Sequence, residues 1–187
     1  MAKKPLPCPT VLRQLLRYEP ETGKLFWKER PSWMFKLGGV KGQSGSAATW
    51  NARYAGKEAF TALSHGYPYS SINDRSVLAH RVIWTIVTGT WPGSEVDHID
   101  GDRANNSWQN LRLVTSSQNK MNRGVQRNST SGHKGVGFHK ASGRWRAYIK
   151  VLGKQRHLGH FDTMEGACEA YRAAAAKYHG EFARFEW

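Results

Sequence analysis

Apolar residues recur at helical spacing in three stretches of the chain. Over residues 78–88, Leu78, Val82 and Ile86 align with Ile83, Trp84 and Val87. A run with that period has one face to bury, and Gly89 supplies a stop. Leu12, Leu15 and Leu16 predict a shorter amphipathic helix over residues 12–18. Ala167, Ala170, Tyr171, Ala174 and Tyr178 predict a third, opened by a capping box from Asp162 to Glu165 and ended by Gly180.

Short extended runs predict strands at residues 24–28, behind a turn at Pro20-Glu-Thr-Gly23, and at 67–73, 75–78 and 95–98. Another is expected over 110–115, with Leu111 and Leu113 on one side and Arg112 and Val114 on the other. Asp100-Gly101-Asp102 between them is turn chemistry, and Ser116 or Ser117 is suited to cap a helix through Gln118, Asn119 and Met121. Residues 95–122 therefore read strand, loop, strand, helix. Three more strands are expected at 135–140, 144–151 and 155–161, joined by hairpin turns at Ser142-Gly143 and Gly153-Lys154. They form a three-stranded antiparallel sheet packed on one helix. Residues 29–51 have no clear period and read as irregular. The basic, Gly- and Ser-rich stretch 123–131 reads as a linker. The chain is read as α+β: an N-terminal region without assigned structure (1–66), a central domain (67–122), the linker, and a C-terminal domain (132–187).

Charge changes the picture. The 187 residues carry a net charge of +14, which points to a polyanionic partner, nucleic acid before membrane or acidic protein. From Arg103 to His160 there is no Asp or Glu, while Arg and Lys recur throughout. A single-sign stretch of that length suits a polymer of phosphates. No apolar run is long enough to span a bilayer, and the first ten residues lack the apolar core of a secretory signal. The two cysteines, Cys8 and Cys168, stand far apart, so neither a disulfide framework nor a structural zinc is expected, and an intracellular, cytoplasmic setting is.

The candidate chemistry lies in Val96-Asp97-His98-Ile99-Asp100-Gly101-Asp102, followed by Asn105-Asn106, Asn110-Leu111-Arg112 and Gln118-Asn119. Hydrolysing a phosphodiester needs a deprotonated water and stabilisation of charge on the phosphate. Histidine, with an ordinary pKa near ~6.5, can take the water's proton at neutral pH. A divalent ion held by oxygen donors can neutralise the phosphate and leaving oxygens, and such donors favour Mg²⁺ or Mn²⁺ over zinc.

This pattern resembles the HNH nucleases, more closely their phage and homing-endonuclease branch, with D-H-I-D-G, N-N, N-L-R and a helical Asn. The resemblance implies a ββα-metal domain. His98 would be the general base, Asp97 and Asn119 the ligands of one divalent metal ion, Mg²⁺ or Mn²⁺, and Asn110 the amide that pins the loop and so orients His98. Arg112 would contact phosphate, and His80 would support the site from behind. The family's last residue is often His, and an amide at position 119 favours a hard ion.

A second resemblance covers residues 131–185. Gly135-Val136, Trp145-x-Ala147-x-Ile149, Leu158-Gly-x-Phe161 and Ala167-x-x-Ala170-Tyr171 resemble the APETALA2-type domain of plant ethylene-response factors. In that family the exposed sheet face enters the major groove. Alternation turns Trp145, Ala147 and Ile149 toward the helix, and Arg146, Tyr148 and Lys150 outward. Gln155 and His157 are expected on the same outer face, with Lys134 and His139 from the first strand and Arg144 and Lys154 beside it. Arg156 falls on the nominal inner side and has to bend out or snorkel. Several arginines that read guanines in plants are Gly137, His139 and Ala141 here, so the plant target sequence does not transfer.

Together these readings predict a metal-dependent endonuclease of phage or mobile-element type. It would act on double-stranded DNA inside a bacterial host, as a monomer and without a small-molecule cofactor. The alternatives are a non-catalytic DNA-binding regulator with a degenerate nuclease fold, or an RNA-binding protein using charge alone.

Overall fold

Pro9 opens the first helix, α1 (Pro9–Leu15), where its missing N–H costs nothing, and Leu12 and Leu15 are buried. The expected helix ran to Tyr18, but the backbone extends at Leu16. β1 (Leu16–Glu19) then pairs antiparallel with β2 (Lys24–Trp27). The apolar positions at 12, 15 and 16 are shared between a helix end and a strand start, which together imitate one helical stripe.

α2 (Gly42–Tyr54) lies in the stretch read as irregular. It is built from small and polar residues and buries only Ala47, so it has no apolar stripe for a periodicity argument to find. Aromatic stacking holds it instead. The Arg30 guanidinium sits 3.8 Å from the Trp50 ring centroid, and Trp50 packs edge-on to Trp27 at 5.8 Å. The Asn51 carboxamide exchanges two hydrogen bonds with the Arg30 backbone.

β3 (Glu58–Ala59) completes the first sheet beside β2. β4 (Ala62–Ser64), β5 (Tyr67–Ile72) and β6 (Arg75–Leu78) form an antiparallel meander. It leads into α3 (Ala79–Thr88), which buries Ala79, His80, Val82, Ile83 and Thr85. Gly89 ends it at φ 82°, a left-handed position that favours glycine. β7 (Glu95–His98) and β8 (Leu111–Val114) pair as a two-stranded sheet. α4 (Ser116–Asn122) follows, capped one residue earlier than expected: the Thr115 hydroxyl and the Gln118 side chain form a reciprocal capping box.

This computed structural model describes residues 5–36, 42–125 and 128–184. Residues 37–41 of the stretch read as irregular, and 126–127 of the linker, fall outside them. The chain divides into two units, Met1–Leu113 and Val114–Trp187. In the first, Leu12, Leu16 and Leu25 share one hydrophobic core with Val82, Ile83, Val96 and Leu111. The N-terminal region and the strands carrying the candidate chemistry are thus packed together.

In the second unit, β9 (Val136–His139), β10 (Arg144–Val151) and β11 (Lys154–Phe161) form an antiparallel sheet in the order β11-β10-β9. α5 (Met164–His179) covers it, packing Ala167, Tyr171 and Ala175 against Val136, Ala147 and Ile149. Its cap is Thr163, whose hydroxyl accepts from the Gly166 N–H, rather than the expected Asp162. Ala147 pairs with Gly159 but Tyr148 with His157, so Leu158 is the extra residue of a β-bulge.

Candidate active site and nucleic-acid interface

Asp97 and His98 end β7, and they are only 7% and 3% exposed. Successive strand residues face opposite ways, and each finds its own partner. Asp97 Oδ2 accepts from Arg112 Nε and Nη2 at 3.2 and 3.1 Å. His98 Nε2 lies 3.0 Å from the Asn106 Oδ1. The Asn106 Nδ2 donates to the Ala104 carbonyl, which leaves its Oδ1 as an acceptor. Nε2 of His98 therefore carries the hydrogen, and the basic lone pair sits on Nδ1.

The loop that carries Asn106 is tied internally. Asn110, 9% exposed, accepts from the Asp100 N–H through Oδ1 and donates through Nδ2 to the Asp100 carboxylate and the Asn105 carbonyl. Burial pushes the Asp100 carboxyl upward, but hydrogen bonds from Asn110, Asn105 and the Asp102 backbone outweigh it and hold the group below its usual range. Asn110 thus shapes the loop, whereas Asn106 touches the histidine. Asn106 has no role of its own in the sequence reading; the double Asn within the D-H-I-D-G, N-N, N-L-R pattern is the signal that marks it.

From the other side the β1–β2 hairpin presses on the same loop. The Tyr18 hydroxyl donates to the Asn106 carbonyl at 2.9 Å, and the Trp108 N–H donates to the Pro20 carbonyl at 2.9 Å. Burial raises the Tyr18 pKa to about 12, so the phenol keeps its hydrogen across the working range. Gly23, at φ 72°, lies so close that an added Cβ would stand 2.4 Å from Asn106 C and Ser107 N.

His80, on α3, is 5% exposed and meets His98 edge-on at 5.2 Å, with Tyr67 packed against both rings. Its Nδ1 is buried without a hydrogen-bond partner. Burial, then the charges of His98 and Arg81, pull its pKa down to about 3, so it stays neutral beside the base. The unfolded chain takes up this proton near pH 6.5 and the folded chain only near 3. Stability is therefore full above about pH 6.5 and falls as the pH drops toward 3, by an amount on the order of several kcal/mol. His80→Leu is expected to flatten that part of the melting-temperature profile.

Arg112 was expected on phosphate. The structure places it across from Asp97 on β8, in an ion pair whose side chains are 14% and 8% exposed. Arg112→Ala is expected to cost about 3 kcal/mol in a denaturant titration, because a buried carboxylate loses its guanidinium. The exposed cation beside the histidines is Arg103. Its guanidinium lies 4.8 Å from the Tyr67 ring centroid and donates to the His65 carbonyl.

Donor chemistry decides whether a divalent ion suits these residues. Arg112 donates to Oδ2 of Asp97 at 3.2 and 3.1 Å, and a carboxylate oxygen is a hard donor. Asn119, half-buried on α4, belongs to the second unit. Among the described residues, no group of three or more His, Cys, Asp or Glu side chains is placed to hold a metal ion. The residues fit a hard ion bound by few protein ligands.

In the second unit, register carries Arg144, Arg146, Tyr148 and Lys150 of β10 opposite His139, His160, His157 and Gln155 respectively. Arg144, Arg146, Lys150, Lys154, Gln155 and His157 are exposed, and Tyr148 and His139 are half-buried. Arg144 pairs with Asp162 at 2.9 Å. Lys134 departs from expectation: it precedes β9, is half-buried, and its ammonium donates to the Met121 and Arg123 carbonyls, anchoring the segment after α4. Arg156 does not bend out: it stays on the helix side and snorkels past α5, exposed, with its guanidinium 5.1 Å from the Tyr178 ring centroid. His160 was not singled out in the sequence, because strict alternation sets it on the opposite face from His157. The bulge at Leu158 brings the two rings to 4.7 Å.

The family model for HNH endonucleases matches residues 77–121, which hold α3, β7, the loop and β8. The chain belongs to the HNH endonuclease family and also carries a segment similar to APETALA2-type proteins. Protein 3.8 of Escherichia phage T7 is 36% identical over 107 residues, 57% of this chain and 88% of that protein. An uncharacterized HNH endonuclease of Acanthamoeba polyphaga mimivirus is 37% identical over 121 residues, 63% of this chain and 61% of its own length. An AP2-like ethylene-responsive transcription factor of Arabidopsis thaliana is 43% identical over 61 residues, which are 33% of this chain and only 13% of the plant protein. No solved structure matches. Among the described residues, no helix is long and apolar enough to cross a membrane.

Proposed function

We propose that this protein is a metal-dependent endonuclease that hydrolyses phosphodiester bonds in duplex DNA, with its C-terminal sheet holding the substrate. The observation that carries the reading is the buried His98 imidazole, whose Nε2 is committed to Asn106 and whose Nδ1 keeps the lone pair. His98 takes a proton from the attacking water at Nδ1, and the Asn106 carbonyl oxygen stabilises the imidazolium through Nε2. Neutral His80 packs against the ring without opposing the new positive charge. Asp97 would be a ligand of one Mg²⁺ or Mn²⁺. That ion, when bound, neutralises charge on the phosphate and on the leaving oxygen. Arg112 orients the Asp97 carboxylate, and Asn110 keeps the loop in register with His98. Arg103 is the exposed cation suited to a backbone phosphate on this side.

The test is a supercoiled plasmid incubated with the protein in Mg²⁺. Nicked or linear product is expected with the metal and none with excess chelator. Cleavage that continues in chelator contradicts the metal dependence, and an intact plasmid in both Mg²⁺ and Mn²⁺ contradicts the reading as a whole.

A further inference from the structure

The outer face of the C-terminal sheet gathers three histidines from two strands. His139 of β9 and His160 of β11 stand 5.4 Å apart between ring centroids, and His157 stands 4.7 Å from His160. Register sets them around the guanidinium-bearing positions of β10. Arg144 lies opposite His139, Arg146 opposite His160, and Tyr148 opposite His157. Gly137, opposite Arg146 on the other side, adds no side chain and leaves open space there. The acid facing this group is Asp162, already paired with Arg144. Lys150 extends the positive face along β10.

We propose that His139, His157 and His160 form a proton-charged phosphodiester site, so that duplex DNA binds this face with net uptake of protons. The inference rests on the DNA-binding reading of the sheet given above. Its physics is reciprocal. In the free protein three imidazoles and two guanidiniums crowd one surface, so a proton added to His160 is opposed by its neighbours. Partial desolvation, then repulsion from His157, His139, Arg144 and Arg146, holds the His160 pKa below its ordinary value. Backbone phosphates reverse the sign of that field and favour the charged imidazoles. Whatever makes protonation easier in the complex makes the complex tighter when protons are abundant. Each imidazolium that meets a phosphate also releases a counterion, so the salt dependence steepens at low pH.

The experiment uses the full chain in chelator, so that DNA stays uncut, with a fluorescent duplex read by anisotropy from about pH 8 to about pH 5.5. Between pH 7 and 6 the Kd of the wild type is expected to fall by about tenfold for each proton taken up. The slope of log K against log salt should grow by about 0.9 for each phosphate newly neutralised. The His139→Gln, His157→Gln, His160→Gln triple variant should lose most of both effects. His160→Arg, which fixes one charge, should bind more tightly than wild type at pH 8 and show a smaller pH slope. A triple variant or a His160→Arg variant with the wild-type slope overturns the proposal, as does a pH-independent wild type. A wild type that fails to bind duplex at any pH overturns the reading of the sheet itself, a different result from binding without proton linkage.

Discussion

His98→Ala is expected to lower the rate of DNA cleavage by a factor on the order of 10³, while the Kd for duplex stays within about twofold. The large effect follows from the position of the imidazole. It is buried, its Nε2 is fixed by Asn106, and in the proposed mechanism its Nδ1 takes the water's proton. Removing it leaves Asp97, Arg112 and the basic sheet in place, so binding and any metal affinity persist while proton transfer is lost. The assay is single-turnover cleavage of a labelled duplex beside an anisotropy titration of the same protein. Cleavage within tenfold of wild type would take the base assignment away from His98.

Gly23→Ala is expected to reduce cleavage at least a hundredfold and to lower stability by about 4 kcal/mol, although residue 23 touches neither DNA nor metal in this account. Its backbone is left-handed at φ 72°, and a methyl group would meet the Asn106 and Ser107 backbone at 2.4 Å. Neither contact is a side-chain end that can swing aside. The strain has to move the loop or the hairpin, and the loop holds the acceptor for His98. A displacement of about an ångström at a general base is enough to cost that much in rate. Tyr18→Phe, which removes only the hydroxyl bond to the Asn106 carbonyl, is the milder companion and is expected to cost about 1 kcal/mol. Cleavage in a folded Gly23→Ala protein equal to wild type would show that the hairpin does not position the loop.

Periodicity identified the parts of the fold that bury one face. α3 is legible because Val82, Ile83 and Ile86 repeat and Gly89 stops them, and the C-terminal sheet because strict alternation meets two Gly-containing turns. α2 is silent because Arg30 and Trp50 hold it through aromatic stacking, a long-range arrangement that leaves no local pattern. Leu16 reads as helix because a strand that starts at a helix end borrows its spacing. At the site, residue types pointed to Asp97, His98 and Asn110 through their family pattern. The sequence could not show that Arg112 faces Asp97 or that Asn106 rather than Asn110 meets His98, because partner choice across β7, β8 and the loop depends on register. His160 was hidden for a related reason: one bulged residue inverts the alternation that assigns its face.

Whether Asp97 is a ligand of one divalent ion, as proposed, is measured by Mn²⁺ binding without relying on turnover. Full-length His98→Ala protein, mixed with duplex DNA that it leaves intact, is titrated with Mn²⁺ and followed by electron paramagnetic resonance of the free ion. One tightly held Mn²⁺ per chain is expected, and it should be lost when Asp97→Asn is added. Undiminished Mn²⁺ binding in the Asp97→Asn protein would take the metal-ligand role away from Asp97.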